Sequence, residues 1–235
     1  MNPKPVSPAS RKPRLSLWLA FAFIVALIAW WEWGAQQDRS APTQVPVAKS
    51  AALATDPPGA EMAILAGGCF WCTEADFDKV PGVLSTTSGY TGGKTANPSY
   101  AEVSSHTTGH AEAVRIVFDP KQISYPQLLA IYWRSIDPTV RDRQFCDIGT
   151  PYRTAIFATS AQQLQQAQAS LAELQTTKPF AEPIQTQIQM AQDFYPAEPE
   201  HQNYHLVNPV RYEFYRKSCG RDARLAQLWG TPAAR

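Results

Sequence analysis

Two cysteines three residues apart, Cys69 and Cys72, stand in the run Gly67-Gly68-Cys69-Phe70-Trp71-Cys72. A Cys-x-x-Cys pair can pass between dithiol and disulfide, or supply half of a zinc site. The residues around it favour thiol chemistry. Met62-Ala63-Ile64-Leu65-Ala66 reads as a buried strand, the two glycines end it, and Thr73-Glu74-Ala75-Asp76-Phe77 opens a helix. A cysteine at the leading end of a helix meets partial positive charge, which favours thiolate over thiol. Cys72 reaches Cys69 across one helical turn. The glycines let another backbone or a substrate come close to the sulfur, and Phe70 and Trp71 offer surface for an apolar substrate end. A zinc site would want a second close pair of ligands. Cys146 and Cys219 stand alone, and only His201 and His205 are a helical turn apart, so no metal is expected.

A carboxylate is the second group with chemical potential. Ala111 to Phe118 alternates as a strand, with Glu112, Val114, Ile116 and Phe118 on one face and Ala113, Arg115 and Val117 on the other. Glu112 thus heads the more apolar row. It either lies in water at the strand end, or is buried with a raised pKa and ready to give a proton. The pattern leaves both open.

The elements that must hold these groups run from about Glu61 to Gly230. Pro81-Gly82 ends the first helix, Val83 to Tyr90 reads as a strand, and Asn97-Pro98-Ser99-Tyr100 starts a short helical or irregular segment ending near Val103. Ser124-Tyr125-Pro126-Gln127 has capping-box spacing for a helix to about Ile136. Arg141 to Thr150 reads as a polar loop and Tyr152 to Thr159 as a strand. Ser160 to Gln175 is a helix, and Ile184, Thr186, Ile188 and Met190 form the inner row of another strand. Phe194 to Glu198 reads as a loop, Glu200 to Tyr204 as a short helix, and Arg211 to Trp229 as a polar, aromatic tail over the surface. Alternating strands and helices predict an α/β (α+β) two-layer sandwich with a long irregular C-terminal tail.

The N-terminal quarter is different. Residues 1–14 are basic and Pro-rich, and Leu15 to Trp31 is an uncharged run close to the ~20 residues that cross a bilayer, the core of an anchor at 15–33. Trp30, Trp31 and Trp33 stand at its far end, as an interfacial belt would. A cleaved leader wants a small-x-small site there. The tryptophans occupy that place, so the reading is an uncleaved single-pass anchor with the basic flank in the cytoplasm. Residues 34–60 make a flexible linker, 61–230 the folded domain and 231–235 a tail. The folded domain is then expected on the periplasmic or extracellular side of the cytoplasmic membrane. A net charge of +1 gives no argument for nucleic acid.

Gly67-Gly68-Cys69-Phe70-Trp71 resembles the active-site motif of the methionine sulfoxide reductase A family, the peptide-methionine (S)-S-oxide reductases. Further stretches resemble it in order: Gly89 to Gly93, Asn97 to Tyr100, Thr108 to Val114, Phe118 to Pro120, Asp147 to Arg153, and His201 to Tyr204. The resemblance implies a ferredoxin-like core and reduction of methionine-(S)-sulfoxide, free or in oxidised proteins. It implies Cys69 as nucleophile, Glu112 as acid, and Tyr100, Tyr152 and Asp147 as the groups that position the sulfoxide oxygen and water. Phe70 and Trp71 would hold the methyl group, with His201 and Tyr204 lining the pocket or His201 only capping a turn. No bound cofactor is implied; an external thioredoxin-like dithiol would restore the enzyme. Cys72 is the favoured resolving cysteine and Cys219 the alternative, while Cys146 either lies near the sulfur or is a small buried apolar residue. Pro151 departs from the family, which commonly has Gln there, and this puts the setting of Tyr152 in question. Two rival functions remain: a general thiol-disulfide oxidoreductase on Cys69 and Cys72, and an anchored module that binds methionine-like side chains without chemistry.

Overall fold

A computed structural model of the chain describes residues 56–230. The basic N-terminus, the expected anchor at 15–33, most of the linker and the tail 231–235 lie outside the described residues. Among the described residues no helix is long and apolar enough to cross a membrane.

The elements in chain order are β1 (Glu61–Gly67), α1 (Phe70–Phe77), β2 (Val83–Thr91), α2 (Tyr100–Ser104), β3 (Ala111–Phe118) and α3 (Tyr125–Ser135). They continue with β4 (Arg143–Gln144), β5 (Asp147–Ile148), a 3-10 turn at Thr150–Tyr152, β6 (Thr154–Ala158) and α4 (Ala161–Thr177). The last are β7 (Gln187–Met190), β8 (Tyr195–Pro196), a 3-10 turn at Pro199–His201, α5 (Tyr204–Val207), α6 (Pro209–Ser218) and α7 (Arg221–Trp229). The main sheet has the order β7-β6-β1-β3-β2-β8. The crossover through α1 leaves a slot between β1 and β2, and β3 fills it antiparallel to both. The next crossover carries β3 past β1 to β6, which pairs antiparallel with β1.

Strand periodicity decides which face meets the helices. Ala63, Leu65, Val114, Ile116 and Ile156 pack with Phe70 and Phe77 of α1, Leu128, Leu129 and Tyr132 of α3, and Ala167 and Leu174 of α4. The other face carries Ile64, Ala66, Ala113, Ala155 and Phe157, covered by Met62, Ala191 and Phe194. All eight residues of β3 are buried. Its two charged groups therefore need partners: Arg115 pairs with Asp56, and Glu112 is taken up below. The capping box predicted for α3 is present, with the Ser124 N–H donating to Gln127 Oε1 at 2.8 Å.

Four sequence expectations change. Residues 141–150 are not a plain loop: β4 and β5 pair as a hairpin, Gln144 opposite Asp147, with Phe145 and Cys146 at its tip. The loop at Phe194 to Glu198 contains β8, which pairs with Gly89 and Tyr90 at the sheet edge. A partner strand decides that pairing, and an edge tolerates Pro196. Met190 is not in an inner row; it ends β7 with 47% of its surface exposed. The tail is two helices, and two of its arginines, Arg216 and Arg221, are buried. Arg221 is 1% exposed. It donates to the Gly67 carbonyl at 3.2 Å and the Ser135 carbonyl at 2.7 Å, and lies 3.5 Å from Asp76. Its guanidinium also covers the Phe145 ring at 4.6 Å.

Arg221 thus ties the C-terminal helices to the end of β1, where the cysteine turn begins. Arg221→Met leaves two buried carbonyls without a donor and should cost about 3 kcal/mol. The denaturant midpoint should fall with an unchanged slope; an unchanged midpoint would show that the tie contributes nothing.

Candidate active site

The turn between β1 and α1 sets the position of the sulfur. Gly68 has φ +86°, and a Cβ there would lie 2.5 Å from the Gln144 Cβ, so glycine is required twice over. Gln144 is wholly buried and bonds Asp137 on both sides, Asp137 N to Gln144 Oε1 at 2.9 Å and Gln144 Nε2 to Asp137 O at 2.6 Å. The hairpin is thereby pressed against the cysteine turn. Cys69 is the N-cap of α1, and its carbonyl accepts from Cys72 N at 3.1 Å and Thr73 N at 3.2 Å.

Glu112 lies at the same turn. It is 2% exposed, which excludes the reading that leaves it in water. Its Oε2 accepts the Phe70 backbone N–H at 2.9 Å, one residue from Cys69. Burial pushes the carboxyl up to about 8, against the pull of the Phe70 N–H, with Asp147 and Cys72 adding to the rise. Glu112 is therefore a neutral acid at physiological pH.

The thiols differ from the sequence expectation. Burial, Cys72 and Glu112 hold the Cys69 thiol well above its ordinary value. The helix end does not make it a resting thiolate, because the sulfur is desolvated and sits beside a second thiol and an acid. Cys72 is pushed down, first by its hydrogen bond with Cys69 and further by Arg221 and Arg216, against burial.

Tyr100 comes from α2 and Tyr152 from the 3-10 turn. Both phenols are raised by burial first and then by Glu112, with Asp147 and Cys69 also contributing. Pro151 does not disturb Tyr152. It occupies the first turn of the 3-10 segment, where a missing N–H is tolerated, and Tyr152 N still donates to Gly149 O at 3.0 Å. Asp147, on β5, is half-buried; burial raises its carboxyl, while Tyr215 and Arg221 oppose the rise.

The aromatic residues divide into two groups. Phe70 is 1% exposed and packs against Tyr90, Tyr100 and His201, so it forms the floor rather than an open wall. Trp71 is half-buried, stacks on Tyr204 with 3.7 Å between ring centres, and donates its Nε1–H to His201 Nδ1 at 3.2 Å. His201 does more than cap a turn. Burial lowers its pKa, which keeps Nδ1 free to accept from Trp71.

Three contributors were not singled out from the sequence. Glu198 accepts from the Tyr90 hydroxyl at 2.8 Å and from Tyr100 N at 2.7 Å, which anchors α2. Glu74 is wholly buried, accepts from Asn203 N at 2.9 Å and is raised to about 7 by burial. Tyr215, on α6, donates to Asp147 Oδ2 at 2.5 Å. Nothing in the local pattern marked them, except that Tyr90 stands in the Gly89-Tyr90-Thr91 stretch. The cysteine assignments also change. Cys146 is exposed rather than buried, and it is joined to Cys219 in a disulfide with 4.8 Å between Cα atoms. Cys69 and Cys72 are the free pair.

Residues 61–233 match the family model for peptide methionine sulfoxide reductase. The chain belongs to the peptide methionine sulfoxide reductase family. The peptide methionine sulfoxide reductase MsrA of Bacillus licheniformis is 51% identical over 170 residues, 72% of this chain and 94% of that protein. MsrA 2 of Caulobacter vibrioides is 49% identical over 177 residues, 74% of this chain and 87% of that one. Among solved structures, methionine sulfoxide reductase A of Corynebacterium diphtheriae is 36% identical with a TM-score of 0.60, over 66% of this chain and 77% of that one. Reduced Mxr1 of Saccharomyces cerevisiae is 33% identical with a TM-score of 0.62, over 66% and 89%. The mixed α/β fold agrees with this family.

A raised acid has a stability consequence. Between its ordinary value and about 8, Glu112 keeps its proton when folded and loses it when unfolded. The unfolded state binds fewer protons there, so folding weakens as pH rises through that window. Glu112→Gln removes this loss: relative to wild type the variant should gain stability steadily from acid to mildly alkaline solution. A difference independent of pH would contradict the raised acid.

Proposed function

We propose that this chain reduces methionine-(S)-sulfoxide, free or in oxidised proteins, to methionine. The observation that carries the reading is the neutral Glu112 carboxyl held on the Phe70 N–H beside Cys69. A sulfoxide oxygen leaves poorly until it is protonated, and an acid that keeps its proton at neutral pH suits that task. Cys69 attacks the sulfoxide sulfur as Glu112 protonates the oxygen, with Tyr100 and Tyr152 donating to the same oxygen as charge develops. Cys69, raised at rest, keeps its proton until the attack, and that proton passes to the Glu112 carboxylate left when the oxygen is protonated. Trp71, backed by Phe70 and held by Tyr204 and His201, faces the methyl group, and Asp147 orients water.

The atoms balance in three steps. Thiol and sulfoxide give methionine and a Cys69 sulfenic acid, the oxygen passing to the enzyme. The Cys72 thiol condenses with it, releasing water and forming an intramolecular disulfide. An external thioredoxin-like dithiol reduces that disulfide by exchange, and no bound cofactor takes part. Cys72 suits the resolving role because it lies one helical turn from Cys69, its backbone N–H donating to the Cys69 carbonyl at 3.1 Å, whereas Cys219 is tied to Cys146.

The interlocked strand order supports assignment to the ferredoxin-like two-layer class. We further propose that residues 15–33 anchor the chain in the cytoplasmic membrane as a single-pass helix, with the domain 61–230 on the periplasmic or extracellular side. Repair of oxidised exported proteins is then its task. A reporter fused after Gly230 should be active only outside the membrane; activity in the cytoplasm would overturn the topology.

Glu112→Gln tests the mechanism against a general thiol-disulfide oxidoreductase. Sulfoxide reduction should fall on the order of a hundred- to ten-thousand-fold while exchange with a small disulfide persists. Equal loss of both would favour the rival reading. Cys72→Ser should still release one methionine per chain without reductant and leave a Cys69 sulfenic acid that a dimedone-type probe traps. No release would contradict Cys69 as nucleophile.

A further inference from the structure

The disulfide and the Tyr215 hydrogen bond link the same two segments. Cys146 precedes Asp147 at the tip of the β4–β5 hairpin. Cys219 caps α6 one turn beyond Tyr215, and its N–H donates to the Tyr215 carbonyl at 2.9 Å. Tyr215 and Asp147, 68 residues apart in sequence, bond directly at 2.5 Å. A covalent link one residue from the acceptor and one turn from the donor leaves little room for either to move. The Tyr215 ring also stands edge-on to Trp71, with 5.8 Å between ring centres. Its hydroxyl therefore sits where the nucleophile's helix, the hairpin and α6 meet.

We propose that Tyr215 is a positioning residue of the sulfoxide site, and that the Cys146–Cys219 disulfide stands outside the turnover cycle as the clip that keeps Tyr215 on Asp147. The proposal rests on the reductase reading above. Four cysteines then serve as two pairs with separate tasks. Cys69 and Cys72 are free and adjacent, and cycle with substrate. Cys146 and Cys219 hold the aspartate and its phenol in register, so no resolving cysteine has to swing in from α6. The placement also agrees with the site's electrostatics, since the Tyr215 hydroxyl, as a hydrogen-bond donor, lowers the Cys69 thiol against burial, Cys72 and Glu112. Loss of the clip, by substitution or by a strong reductant, frees the hairpin tip and the end of α6 and weakens a contact that the reaction uses.

Disulfide mapping of the full chain, before and after one equivalent of methionine-(S)-sulfoxide, tests the division of labour. Two thiols, Cys69 and Cys72, should be present before and none after, with the Cys146–Cys219 peptide pair unchanged throughout. A new disulfide between either of these and Cys69 or Cys72 would overturn the proposal. The positioning role is read from Tyr215→Phe with the disulfide intact, so that a misfolded cysteine variant cannot decide the matter. The rate of the methionine burst should fall roughly tenfold, as expected for one hydrogen bond to a charged group, with KM unchanged. Cys146→Ser/Cys219→Ser should show a similar fall, and the triple variant no further one, because all act through one contact. A Tyr215→Phe burst at the wild-type rate, or losses that multiply, would overturn it. Failure of the reductase reading looks different: the wild-type chain itself would form no methionine.

Discussion

One hydrogen bond fixes the chemistry of this domain: the Phe70 N–H to the Glu112 carboxyl at 2.9 Å. The N–H is one of the unpaired donors at the start of α1, and the carboxyl is the only acidic group on a wholly buried strand. Each satisfies the other, which is why an acid can sit at 2% exposure in an apolar row. A single N–H does not offset the loss of water around the charged form, so the acid stays protonated to about 8. The donor belongs to the residue after Cys69, and so the same contact that tolerates the acid also delivers it to the sulfur.

Much of the rest of the fold preserves that contact. The split strand order puts β3 next to β1, so that Glu112 and the cysteine turn meet across neighbouring strands. Gly68 admits Gln144, which brings the hairpin and Asp147 alongside. Arg221 reaches from α7 to the Gly67 carbonyl, and the disulfide closes a 73-residue separation between the hairpin and α6. In a chain-entropy account a closure of that length is worth about 4 kcal/mol. Glu198 and Glu74 extend the same logic, accepting backbone donors from Tyr100 and Asn203 and locking the segments that carry the phenol and His201.

The sequence disclosed what local pattern can carry. Alternation along Ala111–Phe118 named the correct inner row, and the glycines before Cys69 marked a close approach that the Gln144 contact explains. Resemblance to the family supplied Tyr100, Tyr152 and Asp147, and both phenols are raised by the same neighbours, Glu112, Asp147 and Cys69, after burial. What stayed hidden depends on distant partners. β8 is a strand only because β2 offers an edge. The tail turned inward because Arg221 finds two carbonyls and Asp76 waiting for it. Tyr215 looks like any tail aromatic until α6 is laid against the hairpin. The thiolate expectation for Cys69 failed for a related reason: the helix end was legible, but the burial and the neighbouring acid and thiol that outweigh it were not.

The account rests on Glu112 being a neutral acid before substrate arrives. Infrared difference spectroscopy of the resting enzyme, with Glu112→Gln as the reference, measures this without turnover. A protonated carboxyl stretch belonging to Glu112 should persist through neutral solution and disappear with a midpoint of about 8. A carboxylate signal already complete in mildly acidic solution, near the ordinary value for glutamate, would contradict it.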